Sequence, residues 1–138
     1  MKSAESLKKF ITENFNLFTD KNVIIGSIDL SRYESKNLCV IIPEETNITD
    51  LELGGEIETQ TSFTLSFLFR GEKHAELIER METFANDFQV KVAGDYSFNK
   101  NVTDVSVGKI KYFYDCGTVE KQATGLDIEM TITETKEI

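Results

Sequence analysis

The sequence predicts an α+β domain: a mostly antiparallel β-sheet with two amphipathic helices packed on one face. Three observations lead there. From Ile57 to Phe69, apolar or β-branched residues hold every odd position and polar ones every even position except Leu68, the period-two pattern of a half-buried strand. On either side of this run, a segment repeats apolar residues at spacings of three and four, which gives each segment a single greasy stripe. Shorter apolar or alternating runs supply the remaining strands, and helices with one apolar side pack on a single face of such a sheet.

Ser3 ahead of Ala4-Glu5 can cap a helix in which Ala4, Leu7, Ile11, Phe15 and Phe18 line up, so the first helix is predicted over residues 4–18. Thr19-Asp20-Lys21-Asn22 supplies the turn that ends it. Val23 to Ile28 and Leu38 to Ile42 are apolar, β-branched and too short for helices; they read as buried strands joined by a polar loop from Asp29 to Asn37. Pro43 is expected to end the second strand, because it has no N–H to give to a ladder. The acidic stretch from Glu44 to Gly55 reads as an irregular loop, with Gly54-Gly55 a turn or hinge into the long strand. At about 3.3 Å per residue, that strand spans on the order of 43 Å, enough to reach beyond the core of a small domain.

A second helix follows Gly71 at once. Ala75, Leu77, Ile78, Met81, Phe84, Ala85 and Phe88 form its apolar side, while Glu76 and Arg80 sit four apart on the outside. Gln89 to Val92 then reads as an edge strand, with turns at Gly94-Asp95 and Asn99-Lys100-Asn101. Val105 and Val107 alternate in one phase and Ile110, Tyr112 and Tyr114 in another, so Gly108 marks a β-bulge. Leu126, Ile128, Met130 and Ile132 alternate with polar residues in the last strand, which is expected to pair antiparallel with its predecessor across a loop from Asp115 to Gly125.

Composition narrows the function. The 138 residues fit one domain, 1–138, without repeat, linker or low-complexity segment, and ten Phe with a single Pro support a real core. Fifteen Lys and Arg against 24 Asp and Glu leave a net charge of −9, which repels phosphate backbones and anionic membrane surfaces. No nucleic acid and no membrane is therefore expected as a partner; a basic protein partner, or plain solubility, suits the charge. No apolar run reaches the ~20 residues of a spanning helix and the start lacks the apolar centre of a signal peptide, so synthesis in the cytoplasm is the expectation. In that compartment Cys39 and Cys116 are expected as reduced core residues rather than a bridge, and the sequons at Asn47 and Asn101 as chance matches.

The chemistry-bearing residues form no recognisable site. His74 is the single histidine, which excludes a histidine-rich metal site or a two-imidazole mechanism, and neither cysteine sits at a strand-to-helix turn where a thiolate would be stabilised. Glycine-rich phosphate cradles are missing. Carboxylate pairs such as Glu44 with Glu45, or Asp50 with Glu52, lack the spacing of a calcium loop and read as a solvated acidic segment. Tyr112-Phe113-Tyr114 puts aromatic rings on both faces of one strand, core on one side and interface on the other. The expectation is a protein that is not an enzyme and holds no cofactor or metal.

The order of elements nevertheless has a likeness. A first helix, the strand from Ser62 to Gly71, an immediate helix ending in Met81-Glu82-Thr83-Phe84-Ala85, and a late hairpin with Val107-Gly108-Lys109-Ile110 and Tyr114-Asp115-Cys116-Gly117 resemble the tail-terminator, tail-completion or minor-capsid proteins of long-tailed bacteriophages and prophages. The resemblance spans most of the chain and rests on pattern; the acidic segment from Glu44 to Glu56 departs from it. It implies a structural protein of the virion, made in the bacterial host cytoplasm. Copies would form a ring, commonly a hexamer, that caps the tail tube at the head–tail junction, with the tail-tube protein and a head or neck protein as partners.

For such a subunit the expected contacts are the polar row of the long strand, Glu58, Gln60, Ser62, Thr64 and Ser66, together with Asp50, Glu52 and Glu56 of the acidic segment and Asp115 and Glu120 of the late loop. A ring needs head-to-tail contacts that close, and it would cover strand edges that are otherwise an aggregation hazard. The competing expectation is a small acidic inhibitor or immunity-like protein, a monomer that masks a basic partner by charge complementarity.

Overall fold

Residues 2–26, 36–52, 55–98, 102–117 and 122–137 are described by a computed structural model. In chain order the elements are α1 (Lys2–Asn14), β1 (Val23–Ile25), β2 (Asn37–Glu52), β3 (Glu56–Gly71), α2 (His74–Gly94), β4 (Asp104–Phe113) and β5 (Gln122–Glu137). The strands form one sheet in the order β1-β2-β3-β5-β4, antiparallel throughout except for the β1–β2 pair. The expected α+β class with a mostly antiparallel sheet is what the chain adopts.

The alternation in β3 does what its period requires. Phe63, Leu65, Phe67 and Phe69 are buried beneath both helices, and β3 pairs with β5 over its full length, from Glu56 opposite Glu137 to Gly71 opposite Gln122, with no slip in register. Phe84 of α2 fills the centre of the core: its ring lies 4.5 Å from that of Phe67, 4.9 Å from Phe15, 5.3 Å from Phe18 and 5.7 Å from Phe69, in tilted or edge-on arrangements that suit the ring quadrupoles. Gly125 of β5 belongs to the same close contact, since a Cβ there would stand 2.9 Å from the Phe67 carbonyl oxygen.

Four sequence expectations need correction. Helix α1 ends at Asn14 and not at residue 18: the Asn22 side chain accepts from the Thr19 N–H at 2.6 Å and donates to the Leu17 carbonyl at 3.0 Å and the Asn37 carbonyl at 2.9 Å. Those bonds hold the chain in a turn, while Phe15 and Phe18 still reach the core. Secondly, Gln89 to Val92 is no edge strand; α2 continues through it because Phe84, Phe88 and Val92 repeat at four and stay on the buried stripe.

Thirdly, Pro43 does not end β2, and Glu44 onward is strand rather than loop. The Cys39 N–H donates to the Asn22 carbonyl and the Ile41 carbonyl accepts from the Gly26 N–H, so odd residues of this segment turn their backbone groups toward β1. Pro43 shares that parity and lies past the last β1 partner, Ile41, so its missing donor faces the sheet's edge and costs β3 nothing. A bulge between Pro43 and Glu45 then lets β2 run on against β3, and Gly55, at φ +93°, closes the hairpin. Fourthly, Gln122 to Gly125 belong to β5 rather than to a loop.

Of the expected strand Val23 to Ile28, Ser27 and Ile28 lie outside the described residues, as do most of the Asp29 to Asn37 loop, Gly54 and the turn at residues 99–101. The bulge expected at Gly108 is present: register passes from Val107 opposite Met130 to Ile110 opposite Ile128, three steps on β4 against two on β5.

Phe84→Ala is expected to lower the unfolding free energy by about 3–5 kcal/mol, because it empties the centre of the ring cluster. Urea unfolding would show this as a lower midpoint with an unchanged slope, while Val90→Ala, at a position 71% exposed, leaves the midpoint where it is.

Candidate functional site

The polar row of β3 does not lie at an edge. Because β3 sits between β2 and β5, its row occupies the middle of the sheet face opposite the helices. Register places Asn47, Gln60, Thr133 and Asp104 across one line of that face, and Glu45, Ser62, Thr131 and Ser106 across the next. Thr64 and Ser66 lie lower down: the Thr64 hydroxyl donates to the Glu44 carboxylate, and the Ser66 hydroxyl donates to Asp127 Oδ1 at 2.8 Å. Such cross-strand pairs bind neighbouring strands together as well as facing water. Gln60 is exposed, while Glu58, Ser62, Thr64 and Ser66 are half-buried.

The remaining residues expected at a contact are scattered. Glu56 is exposed at the start of β3, and Asp50 and Glu52 stand opposite Glu58 and Glu56 in register, with only their backbones described. Asp115 is exposed just after β4, at the other end of the sheet, and Glu120 lies outside the described residues. Glu44, Glu45, Glu58, Asp104, Asp127 and Glu129 thus gather on the non-helical face, with Lys111 among them. Leu38 and Val40 alternate onto the same side and are buried, so the polar part of the face begins beyond them.

The sequence pointed less clearly to the two sheet edges. On one side, β1 covers β2 only from Cys39 to Ile41, and the rest of β2 has no outer partner among the described residues. On the other, β4 is the last strand, with Tyr112 and Phe113 exposed and the Tyr112 and Tyr114 rings stacked at 6.2 Å. An open groove of about 550 Å³ runs between β4 and the C-terminal half of α2, lined by Val92, Ala93, Tyr96, Val107, Ile110 and Tyr112. A second, of about 490 Å³, lies between the end of α1 and the outer face of α2, among Asn14, Leu17, Glu76, Arg80 and Asp87. Tyr112-Phe113-Tyr114, expected to have one side in the core, is exposed on both because β4 is an edge strand, and the wrongly expected strand at Gln89 to Val92 hid the helix that forms the groove's other wall.

The titratable groups do not converge on a reaction centre. Among the described residues no three or more of His, Cys, Asp and Glu are placed to hold a metal ion. Both cysteines carry free thiols; Cys39 is buried in the core as expected, while Cys116, also expected there, is exposed because it lies past the end of β4. Burial pushes the Cys39 thiol well above its ordinary 9.0. Cys116 is also raised, first by loss of water around its sulfur and then by the Asp115 carboxylate beside it, which makes it a poor nucleophile at neutral pH. His74 is the first residue of α2, half-buried. No family model matches the chain, and no curated protein matches its sequence.

Alkylation of the folded protein with iodoacetamide is expected to modify Cys116 and spare Cys39, with the Cys116 rate below that of free cysteine at pH 7.5 and climbing above pH 9. Stability should also fall as pH rises past the ordinary thiol value, because the unfolded chain ionises Cys39 while the folded chain keeps it protonated and therefore binds more protons. Cys39→Ala would remove that part of the alkaline decline in a series of urea melts from pH 8 to 10.5; an undiminished decline in the variant would place its origin elsewhere.

Proposed function

We propose that this chain is an assembly subunit, a structural protein whose copies join into a ring, in keeping with its resemblance to bacteriophage tail terminators. The observation that carries this reading is the extent of the sheet. The apolar core ends at Phe63 on β3 and Ile132 on β5, yet β2, β3 and β5 run on together to Glu52, Glu56 and Glu137. Ile132 stands opposite Thr61, so at about 3.3 Å per residue the stretch of β3 from Glu56 to Gln60 carries roughly 16 Å of sheet beyond the last core residue. A sheet extended past its own core, with open backbone at both edges among the described residues, has a physical use when neighbours cover it. In the terminator reading the ring caps a tail tube and meets a head or neck protein; the polar row of β3 and the extended hairpin are the surfaces offered to them.

A second reading has one observation in its favour. The carboxylates gathered on the non-helical face would suit a monomeric inhibitor that covers a basic partner. Solution mass separates the two. Measured by sedimentation from low to high micromolar concentration, alone and with purified tail tubes, the chain is expected to form a closed oligomer that electron microscopy shows as a ring, free or seated on the tube end. A monomer at every concentration that also leaves the tubes bare would overturn the assembly reading and leave the inhibitor.

A further inference from the structure

We propose that the joint between copies is an edge-to-edge strand pairing, in which β4 of one copy lies against the outer edge of β2, from Pro43 to Glu52, of a second copy. It rests on the assembly reading and specifies the contact that builds the assembly.

Both edges are open among the described residues, and they differ in charge. The basic residues Lys109 and Lys111 of β4 are exposed. The outer stretch of β2 carries Glu44 and Glu45, also exposed, and contains Asp50 and Glu52. β4 also carries Asp104 at its start, so its charge is mixed, whereas the outer stretch of β2 has acidic charges alone. Like charges directly across a strand pair are destabilising and opposite ones stabilising, so the acidic edge repels its own kind and attracts Lys109 and Lys111. This disfavours a two-fold contact through β2 and favours a head-to-tail one, the kind that rings require.

The apolar surfaces agree with the charges. Thr46 and Ile48 stand opposite Thr61 and Thr59, which places them on the helix-side face of β2, and Ile48 is 62% exposed. On β4 the helix-side face borders the groove between Val107, Ile110 and Tyr112 on one wall and Val92 and Tyr96 on the other. A strand added to β4 would lay its helix-side residues along that groove, and Ile48 is a large exposed apolar residue that the acidic edge offers it.

Strand direction permits the joint. β2 is antiparallel to β3, β3 to β5 and β5 to β4, so β4 runs opposite to β2. Copies related by rotation about an axis inclined to the strands keep that sense and meet in an antiparallel pair staggered along the strands, which brings Ile48 level with Ile110 rather than with the start of β4, and they keep their helices on one side of a continuous sheet. The bulge after Pro43 shifts the phase by one, so Thr46 and Ile48, opposite odd-numbered residues of β3 as Cys39 and Ile41 are, turn their N–H and C=O groups outward and have them to give a new partner.

Charge exchange tests this directly. Lys109→Glu with Lys111→Glu, and separately Glu44→Lys with Glu45→Lys, are each expected to raise the concentration needed for assembly by about tenfold, and an equimolar mixture of the two variants to restore it, since each then supplies the edge the other lacks. Far-UV circular dichroism and unchanged urea midpoints would show that these exposed substitutions leave the fold intact, and Ile48→Asp, which touches neither charge set, should weaken assembly as well. If the wild type forms rings and all three variants assemble at unchanged concentration, or the mixture fails to recover, this joint is wrong while the assembly reading stands. A wild type that never associates, in solution or on tail tubes, removes both.

Discussion

Everything in this molecule depends on the contact between the odd-numbered row of β3 and the aromatic stripe of α2. Phe67 and Phe84 meet ring to ring at 4.5 Å, and Phe15, Phe18, Phe69 and Phe88 close around them. Each large ring removed from water contributes more than any hydrogen bond on the surface, so this cluster decides which face of the sheet is dry and therefore which side chains face outward. With β3 fixed in that orientation, Glu58, Gln60, Ser62, Thr64 and Ser66 have no choice but the opposite face.

The same contact limits the core. Helix α2 has 21 residues and spans about 31 Å, while the 16 residues of β3 span about 53 Å, so the helix layer cannot cover the strands from end to end. Past Phe63 the helix-side positions change from Phe and Leu to Thr61 and Thr59, and the Thr61 hydroxyl shares a 2.9 Å hydrogen bond with Thr46 on β2. Thr61 and Thr59 are still buried, and a hydroxyl pair between strands adds to their cohesion where the large apolar side chains run out. The extension thus stands at the margin of the core, which is why its open edge and the exposed Ile48 bear on function.

Much of the fold was legible because period carries it. The alternations in β3 and β5, the apolar stripe of α2 up to Phe88 and the bulge at Gly108 all follow from local spacing, and the structure has them. The misses share one cause, a local signal overruled by a distant partner. Pro43 looks like a strand end until β3 stabilises the chain on its other side; Gln89 to Val92 looks like a strand until Val92 is buried on the stripe begun by Phe84; and the helix expected to reach Phe18 is stopped by Asn22, whose side chain bonds the Leu17 and Asn37 carbonyls. The contact residues fared in the same way. Their polarity was readable, but that β3 is central and β4 an edge is a matter of strand order, which no local pattern encodes.

By itself the sequence determined that one sheet has a dry face and a wet one, that the helices are one-sided, and that the chain is acidic, because these depend on the spacing and charge of neighbours along the chain. The tertiary structure alone decided that the acidic stretch from Glu44 onward is a strand, that it forms one open edge while the lysines of β4 lie on the other, and that an apolar groove accompanies the basic edge. Those facts arise from pairings between residues far apart in sequence, where register and strand order, rather than local preference, set which groups are left without a neighbour.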